Sequence, residues 1–359
     1  MIAGTLGRYF GWRFFKTIGG VFAGVFVLIY VIDLVETLRR AGDAPGATAP
    51  LLAWLALLQT PIVAEQALPF AVLFGAMIAF LNLSRKLELV VARSAGVSVW
   101  QFLVPPLVVA AAIGLSVAVA YNPASTAAKR QADRIEAKLF GAAANPAGSV
   151  WIRQKGVDGE SILHADGRDD AAATLIHVQA FNFGRDGRFL ERIDADRAVL
   201  EDGYWRLTDA QVVSPGFDTL STGVYLLATT LTRGDIAQAF LAPETVSFWT
   251  LPVLAEQTRR AGLDPAAYLL RYQELLAMPA MLAAMVLVAA CFSLRFFRMG
   301  GVQTTVSGGV AAGFVLYVAT KLVNDLGAAG FFNATVAGWS PAAVGCLFGV
   351  YVLLHQEDG

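Results

Sequence analysis

Charged residues make up only 15% of this 359-residue chain, and those able to do chemistry fall into separate groups. The acidic residues in the middle of the chain are the candidates for a metal or acid–base site: Asp166, Asp169, Asp170, Glu191, Asp194 and Asp196. Their spacing is typical of solvated turns and strand edges and matches no ligand pattern. The sequence also has no phosphate-binding P-loop, no HExxH pair and no GxSxG elbow. We therefore predict no catalytic site, no metal and no cofactor.

A second charged group lies between two long apolar segments, at residues 84–98 (SRKLELVVARSAGVS). On a 3.6-residue period its apolar side chains fall along one side of a helix: Leu83, Leu87, Val90, Val91 and Val97. The charged side chains then face water or a partner: Arg85, Lys86, Glu88 and Arg93. Gly96 can supply a left-handed stop. The pattern predicts a short helix at a membrane surface, which either receives force from a soluble protein or rests on lipid headgroups.

The composition is that of a membrane protein. Hydrophobic residues make up 56% of the sequence and the mean hydropathy is +0.58, which argues against a soluble globular class. The net charge of −1 argues against a nucleic-acid partner, because no basic surplus exists to neutralise phosphates. The two cysteines, Cys291 and Cys346, lie inside apolar runs, which favours packed side chains over a disulfide.

Six apolar runs approach the ~20 residues that the hydrocarbon core of a bilayer requires. We predict membrane-spanning helices at about 17–38, 62–83, 99–121, 275–296, 302–323 and 339–354. Pro61 is expected to break the apolar run before the second span and to separate it from a short helix at 51–58.

The lysines and arginines beside these spans predict the orientation of the chain. One side of the membrane receives most of them: Arg8, Arg13, Lys16, Arg85, Lys86, Arg93, Arg295 and Arg298. The short loops on the other side hold only Arg39 and Arg40. By the positive-inside rule, both termini and the 84–98 stretch are cytoplasmic. The long segment 122–271 is then on the far side, which for a bacterial inner-membrane protein is the periplasm.

Within this far-side segment the residue pattern switches to the period of two that is typical of β-strands. Short strands are predicted at 149–154, 161–165, 174–183, 188–194, 197–200, 204–207, 210–213 and 223–231. Asp-Gly pairs at 158–159, 166–167, 186–187 and 202–203 predict turns between them. Many short strands with close turns favour a sandwich or jellyroll-like module at about 145–235.

Helical stalks are expected on both sides of the β-domain, at 123–140 and near 247–261. Asp264 fits an N-cap, with Pro265 at the first helical position, for a helix that continues through Pro279 into the fourth span. The predicted fold is thus an α+β membrane protein in three parts. Spans one to three occupy 1–121, the periplasmic domain 122–271, and spans four to six 272–359.

Residues 67–105 (ALPFAVLFGAMIAFLNLSRKLELVVARSAGVSVWQFLVP) resemble the LptF/LptG family, the permease subunits of the lipopolysaccharide-export ABC transporter. Residues 87–98 are similar to the family's S-E-L-V-V-x-x-A-x-G-x-S stretch, with Leu87 in place of the usual Ser. Further similarities follow in order at 200–207 (LEDGYWRL), 243–244 (PE), 262–264 (GLD) and 272–274 (YQE), the last leading into Pro279. The final two spans, with MGG at 299–301 and GFVLY at 313–317, resemble the LptG branch more than the LptF branch.

The resemblance implies partners and an arrangement. The chain would pair with LptF above an LptB ATPase dimer, with a helix of LptC at one gate and LptA as the periplasmic bridge. The 84–98 stretch would dock in a groove of LptB, where Glu88 matches the family's acidic residue and has Arg85, Arg93 and Ser98 as neighbours. The first and fifth spans would form a lateral gate for lipopolysaccharide, which the β-domain would pass towards the bridge.

Three cations suit a lipid A headgroup, because charge-assisted hydrogen bonds to phosphate oxygens are strong. Arg39 and Arg40 lie at the outer end of the first span, and Lys321 lies near the outer end of the fifth. The alternative for the arginines is local neutralisation by Glu36, three and four residues away. Aromatic and aliphatic residues of the two spans either line the lipid cavity or pack against other helices: Phe22, Phe26, Ile29, Phe314 and Tyr317.

Asp33 departs from the family pattern, since relatives can carry a basic residue at this point. It would either pair with a cation on a neighbouring helix or change the charge pattern of the cavity. Two other functions stay open from the sequence. One is a membrane-anchored scaffold whose β-domain docks periplasmic proteins, and the other is a permease of the same fold for a different lipid.

Overall fold

The computed structural model describes residues 2–42, 47–140, 150–155, 159–169, 174–184, 186–232, 242–260, 264–299 and 302–357. Its helices are α1 (Ile2–Ala41), α2 (Ala49–Arg85), α3 (Glu88–Ser94), α4 (Val99–Ser116), α5 (Asn122–Phe140), α6 (Leu251–Arg260), α7 (Ala266–Met299), α8 (Val302–Ala328) and α9 (Ala334–Glu357). A π-helical turn (Val117–Tyr121) joins α4 to α5, and a 3-10 turn lies at Pro243–Thr245. The strands are β1 (Val150–Lys155), β2 (Glu160–Asp169), β3 (Thr174–Phe183), β4 (Phe189–Glu201), β5 (Tyr204–Val213) and β6 (Leu220–Ala228).

Six helical segments within the described ranges are long and apolar enough to cross a membrane. They are Gly4–Ala41, Ala49–Arg85, Val99–Glu136, Ala266–Leu294, Ser307–Ala328 and Ala334–Gln356. Each overlaps one predicted span, and all described strands lie between the third and the fourth. The prediction of a six-span membrane protein with an inserted β-domain is therefore confirmed.

Helix α2 corrects the prediction for the second span. It runs without a break from Ala49 to Arg85 with Pro61 and Pro69 inside it, whereas the sequence predicts a break at Pro61. A proline removes one helical hydrogen bond, which a membrane helix tolerates where neighbouring helices support it. Neighbouring helices pack against α2 on both sides of Pro61, where Thr60 and Ile62 are buried, and the Tyr121 hydroxyl donates to the Pro61 carbonyl oxygen (2.9 Å). The second span and the short helix predicted before it are one element of 37 residues.

The third and fourth spans continue beyond the apolar region as helical rods. The third extends through the π-helical turn into α5, which ends at Phe140 as predicted. On the return side the Asp264 side chain accepts a hydrogen bond from the Ala266 amide (2.9 Å), which confirms the predicted N-cap. α7 continues through Pro279 for 34 residues, roughly 50 Å. The two rods cross closely at Gly114, where a Cβ would lie 2.5 Å from the Pro279 Cα.

The β-domain is a six-stranded antiparallel sheet in which each strand pairs with its neighbours in the chain. This meander order differs from the Greek-key order of a jellyroll. β4 unites the strands predicted at 188–194 and 197–200, and β5 unites those at 204–207 and 210–213. The turns at 186–187 and 202–203 are confirmed, with Gly187 and Gly203 at φ values of 77° and 88°. The prediction of a turn at 166–167 is wrong, because both residues lie inside β2. Asp158 lies outside the described residues.

Gln154 of β1 holds this sheet in a curled shape. Its side-chain oxygen accepts hydrogen bonds from the fully buried Trp205 indole (3.3 Å) and the Thr229 hydroxyl (2.6 Å). Its side-chain nitrogen donates to the carbonyl oxygen of Ala228, at the end of β6 (3.4 Å). Because β1 and β6 are opposite edges of the sheet, these bonds require the sheet to bend back on itself, around an apolar core.

A buried ion pair joins the membrane helices where the β-domain leaves them. Glu65 of α2 is 2% exposed, and Nη2 of Arg271 in α7 lies 2.5 Å from its Oε1. Asn122 and Ser125 of α5 also donate hydrogen bonds to the Glu65 carboxylate (3.3 Å each). Arg271 makes a second ion pair with Glu274 (3.2 Å). The second, third and fourth spans therefore meet around one carboxylate.

The chain returning from the β-domain docks at the same place. The Phe248 amide donates to the Asn122 side-chain oxygen (2.9 Å). The Trp249 indole donates to the carbonyl oxygen of Val119, in the π-helical turn (3.3 Å). The Phe248 ring also stacks on Tyr272 of α7, with ring centres 5.2 Å apart. The base of the β-domain is thus held by the helices that surround Glu65.

Replacing Glu65 by Leu should lower the stability of the protein by about 3–5 kcal/mol, because Arg271 is left buried without its main counter-charge. The measurement is thermal unfolding of the detergent-solubilised protein, followed by tryptophan fluorescence. Replacing the exposed Glu256 of α6 by Gln is the control and should leave the melting temperature unchanged. The double variant E65L/R271M should recover most of the loss, since an apolar pair needs no counter-charge. Equal melting temperatures for E65L and the wild type would contradict the assignment.

Candidate functional site

The charged segment between the second and third spans is a shorter helix than its sequence predicts. α2 includes Ser84 and Arg85, and Leu87 then adopts a left-handed conformation (φ 59°). α3 contains only 7 residues, and Gly96 follows it at φ 82° as the predicted left-handed stop. Ser98 caps α4, because its hydroxyl accepts a hydrogen bond from the Gln101 amide (3.3 Å) and its own amide donates to the Gln101 side chain (3.2 Å).

The packed side of α3 is not the predicted one. Leu89 and Ala92 are buried, whereas Leu87, Val90 and Val91 are exposed, Val91 to 65%. The left-handed residue at position 87 turns α3 away from the direction of α2, so one helical period cannot describe the whole segment. Leu87, Val90 and Val91 form an exposed apolar surface, which we call the α3 patch. Exposed cations of the same segment lie near it in sequence: Arg85, Lys86 and Arg93.

Glu88 is half-buried, and its carboxylate contacts the first span. Nη1 of Arg13 in α1 lies 3.0 Å from its Oε1 and 3.3 Å from its Oε2. The same guanidinium nitrogen donates to the Tyr9 hydroxyl (2.6 Å), which lies 3.5 Å from Glu88 Oε1. The exposed fractions of the paired side chains are 20% for Arg13 and 28% for Glu88. Sequence reasoning missed this contact, because no local pattern links residues 75 positions apart.

The cations at the C-terminal end of the first span have acidic partners. Arg39 lies 2.8 Å from a carboxylate oxygen of Glu36, and Arg40 lies 3.7 Å from the other. Arg40 also reaches Glu136 of α5 (3.2 Å), which accepts a hydrogen bond from Gln59 (3.2 Å). The local pairing with Glu36 is therefore present, yet both arginines remain exposed.

Lys321 lies elsewhere, on α8, where it forms an exposed ion pair with Asp325 (3.5 Å). Both line a cavity of about 260 Å³ between α8, α7 and the 3-10 turn, together with Glu244, Arg271 and Glu274. No described residue of α1 lines this cavity, so Lys321 and the two arginines form separate groups of cations.

The first and fifth spans expose much of their apolar surface. Phe314 and Tyr317 of α8 are exposed, and the Tyr317 ring lies 5.0 Å from that of Phe70 in α2. Phe26 and Ile29 of α1 are half-buried. Other apolar side chains of the C-terminal half of α1 are exposed: Val27, Leu28, Val31, Ile32 and Val35. These faces need lipid or another protein to cover them.

Asp33 lies half-buried on α1, with its Oδ2 3.5 Å from the Thr60 hydroxyl of α2. Among the described residues Asp33 forms no ion pair. The ion pair with a cation on a neighbouring helix, which the sequence left open, is therefore not observed. The partner of Asp33 is the hydroxyl of Thr60, which is itself anchored to the Ala56 carbonyl oxygen (2.8 Å).

Two of the six predicted acidic residues of the β-domain have local partners in the structure. Glu191 accepts hydrogen bonds from Tyr225 (2.5 Å) and Asn182 (2.9 Å), and Asp194 pairs with Arg192 (2.7 Å). Within the described part of the chain, no three His, Cys, Asp or Glu side chains converge in a way that could hold a metal ion. Asp170 and the side chain of Asp169 lie outside the described residues.

Comparison with known proteins identifies relatives over the whole chain. The model of the family "Lipopolysaccharide export system permease LptF/LptG" matches residues 8–355. The Escherichia coli K12 protein named "Lipopolysaccharide export system permease protein LptG" is 25% identical over 376 aligned positions, which cover 99% of each chain. The Haemophilus influenzae protein of the same name is 24% identical over 340 positions, which cover 89% of this chain and 90% of the relative.

Replacing Ser98 by Ala should destabilise the start of α4 by about 1 kcal/mol, because the capping hydrogen bond to the Gln101 amide is lost. Hydrogen exchange of the amides at the start of α4, measured in detergent, should become faster. Ser98→Asp is the matched variant and should keep slow exchange, since a carboxylate also caps. Exchange in Ser98→Ala that stays as slow as in the wild type would show that the hydroxyl has no capping role.

Proposed function

The chain belongs to the LptF/LptG family of lipopolysaccharide export permeases, and from this membership we propose that it forms one half of a pore driven by a separate ATPase. It is a multi-pass inner-membrane protein and a permease subunit of lipopolysaccharide export. The observation that carries the proposal is the family match from residue 8 to residue 355, which includes all six spans and the β-domain. The two relatives described above are named LptG, which supports LptF as the other half of the proposed pore.

The proposed orientation has both termini and α3 in the cytoplasm and the β-domain in the periplasm. The distribution of cations supports it. Lys and Arg residues concentrate at the N-terminal end of α1 and around α3, whereas the short connection after α1 is preceded only by Arg39 and Arg40. The two arginines would then face the outer leaflet, on the same side as the β-domain.

The proposed motor is an LptB dimer, and α3 is its attachment point. The α3 patch supports this, because an exposed apolar surface on a short polar loop is typical of a protein contact. Nearby Arg85 and Arg93 can add charge complementarity, while Glu88 and Ser98 complete the contact region in the proposal. Closure of the ATPase around nucleotide would move α3 together with the second and third spans, which are connected directly to it.

Lipopolysaccharide would enter the pore beside the first and fifth spans. Their exposed apolar faces support this assignment, and Phe26, Ile29, Phe314 and Tyr317 would contact acyl chains. Arg39, Arg40 and Lys321 would bind phosphates of lipid A. Exposed ion pairs contribute only about 0–1 kcal/mol, so a phosphate can replace Glu36 as the partner of the two arginines at little cost.

The proposed later steps use the periplasmic side. LptC would place a helix at one gate, and the β-domain would lead lipid towards the bridge protein LptA. The position of the sheet supports a role in passing lipid to LptA. The sheet is connected through α5 on one side, and through α6 and α7 on the other, to the third and fourth spans, which contact Glu65. Movement of those spans would therefore displace the base of the β-domain.

Replacing Val91 by Asp should reduce the amount of LptB that co-purifies with the permease complex about tenfold, because a charge is placed in the centre of the α3 patch. Val91 is 65% exposed, so the fold should persist. The control is Val253→Asp on α6, where the side chain is 57% exposed on the proposed periplasmic side. Full retention of LptB by the Val91 variant would contradict the docking of α3.

Replacing both Arg39 and Arg40 by Glu should reduce photocrosslinking to lipopolysaccharide about tenfold, because two phosphate partners become repulsive. The chain offers a matched control in Arg259 and Arg260, which are also exposed and pair with Glu256 at the same spacing of three and four residues. Replacing those two by Glu should leave crosslinking unchanged. Equal effects of the two double variants would exclude a specific phosphate site, and mass spectrometry of co-purified lipid would identify a different cargo.

A further inference from the structure

We propose that the start of α6 is a lipid-contact site, which rests in the headgroup layer of the leaflet on the side of the β-domain. The site consists of Trp249, which precedes α6, and of Pro252 and Val253 in its first turn, and we call it the α6 surface. All three side chains are exposed, Trp249 to 59% and Val253 to 57%. This inference goes beyond the proposed function, because it does not depend on which lipid the permease carries or on what drives it.

The hydrogen bond of Trp249 gives the position of this surface relative to the membrane. The indole N–H donates to the carbonyl oxygen of Val119 (3.3 Å), in the π-helical turn that continues α4. Both α4 and this turn belong to the third membrane span. Exposed apolar side chains follow one another along one face of that span: Val104, Val108, Leu115 and Val119. Trp249 therefore lies at the end of the exposed apolar face of a membrane span.

The composition of the third span places the edge of the hydrocarbon region at the same level. Beyond Val119 the exposed side chains of the helix are first small and then polar: Ala120, Ala124, Ala127, Arg130 and Gln131. Charged and strongly polar side chains avoid the hydrocarbon core and are accommodated by headgroups or water. The headgroup layer therefore begins between Val119 and Arg130, next to Trp249.

The chemistry of Trp249 suits this layer. Tryptophan is enriched at membrane–water interfaces, because its ring is large and apolar while its N–H needs a hydrogen-bond acceptor. In this protein the Val119 carbonyl oxygen supplies the acceptor. The exposed part of the ring can then contact lipid without leaving a polar group unpaired.

The exposed side of α6 also changes from apolar to charged along its length. Its first turn carries the α6 surface, whereas its second half exposes polar side chains: Gln257, Arg259 and Arg260. The helix rises away from the membrane as it proceeds. Its start lies beside Tyr272 of α7, on which the Phe248 ring stacks, and its end is followed closely in sequence by the start of α7 at Ala266. α6 therefore runs from the headgroup layer into water.

Lipid fits the α6 surface better than a protein partner does. A stable protein interface buries about 800 Å² on each partner, whereas the α6 surface is three side chains, of which the tryptophan supplies at most about 250 Å². The surface also continues the exposed face of α4, so lipid that covers this face reaches Trp249 directly. The contact would hold the chain returning from the β-domain at a fixed height, because the adjacent Phe248 amide is bonded to Asn122.

The test uses the full chain in native membranes, with p-benzoylphenylalanine in place of Val253, Leu115 or Gln257, one at a time. Leu115 is the positive control, because it is exposed in the middle of the apolar face of α4. Gln257 is the matched negative control, because it is exposed one turn farther along α6. After irradiation, mass spectrometry determines whether each adduct is phospholipid, lipopolysaccharide or protein. Since all three side chains are exposed, the larger ring should not disturb the fold, and thermal unfolding of each variant checks this.

We expect a phospholipid adduct at Val253 with a yield within about threefold of that at Leu115, and a yield about tenfold lower at Gln257. A protein adduct at Val253 or Leu115 would overturn the inference, because a partner chain would then cover this face. A lipopolysaccharide adduct at Val253 would overturn it as well, since the surface would belong to the route of the cargo. Equal yields at Val253 and Gln257 would place the start of α6 outside the headgroup layer. A chain that exports no lipopolysaccharide would refute the proposed function and leave this inference standing.

Discussion

The Glu65–Arg271 ion pair is the constraint on which the arrangement of the membrane helices depends. A carboxylate that is 2% exposed among apolar helices is tolerated only with a counter-charge and further hydrogen-bond donors. Arg271, Asn122 and Ser125 provide these, and they come from two different spans. A shift of any one of the three helices would leave charge or polar groups unpaired in an apolar environment. This requirement fixes the helices relative to one another at the level where the β-domain begins.

Below this level the packing is apolar and depends on close backbone approach. Gly114 against Pro279 and Gly75 against Ile18 leave no room for a Cβ, so the second, third and fourth spans form a compact group with the N-terminal half of the first. The C-terminal part of α1 and much of α8 lie at the edges of this group with one face exposed. A packed centre with two uncovered edges fits the proposed half-pore, in which α1 and α8 would be the parts that move.

The sequence predicts correctly those parts of the structure that depend on residues close together in the chain. Membrane spans follow from apolar length, the Asp264 cap from a side chain next to a helix start, and the turns at 186–187 and 202–203 from glycines that accept positive φ. The prediction from sequence was wrong where contacts between residues far apart in the chain determine the local structure. Pro61 stays inside α2, where neighbouring helices bury the residues on both sides of it, and Asp166 and Gly167 stay in β2 because neighbouring strands pair with it. The packed side of α3 could not be predicted, because the left-handed Leu87 breaks the helical period on which the prediction depends. The contact between Arg13 and Glu88 could not be predicted either, because only the fold brings these distant residues together.

The π-helical turn at Val117–Tyr121 has a consequence for the evolution of the chain length. One extra residue in a helical turn rotates everything beyond it by roughly 100° relative to a regular α-helix. With that rotation, Asn122 and Ser125 face Glu65, and the Val119 carbonyl oxygen accepts a hydrogen bond from the Trp249 indole. Deleting one residue here would produce a more regular helix and yet point α5 in another direction. Insertions and deletions should therefore be tolerated far less in these five residues than substitutions.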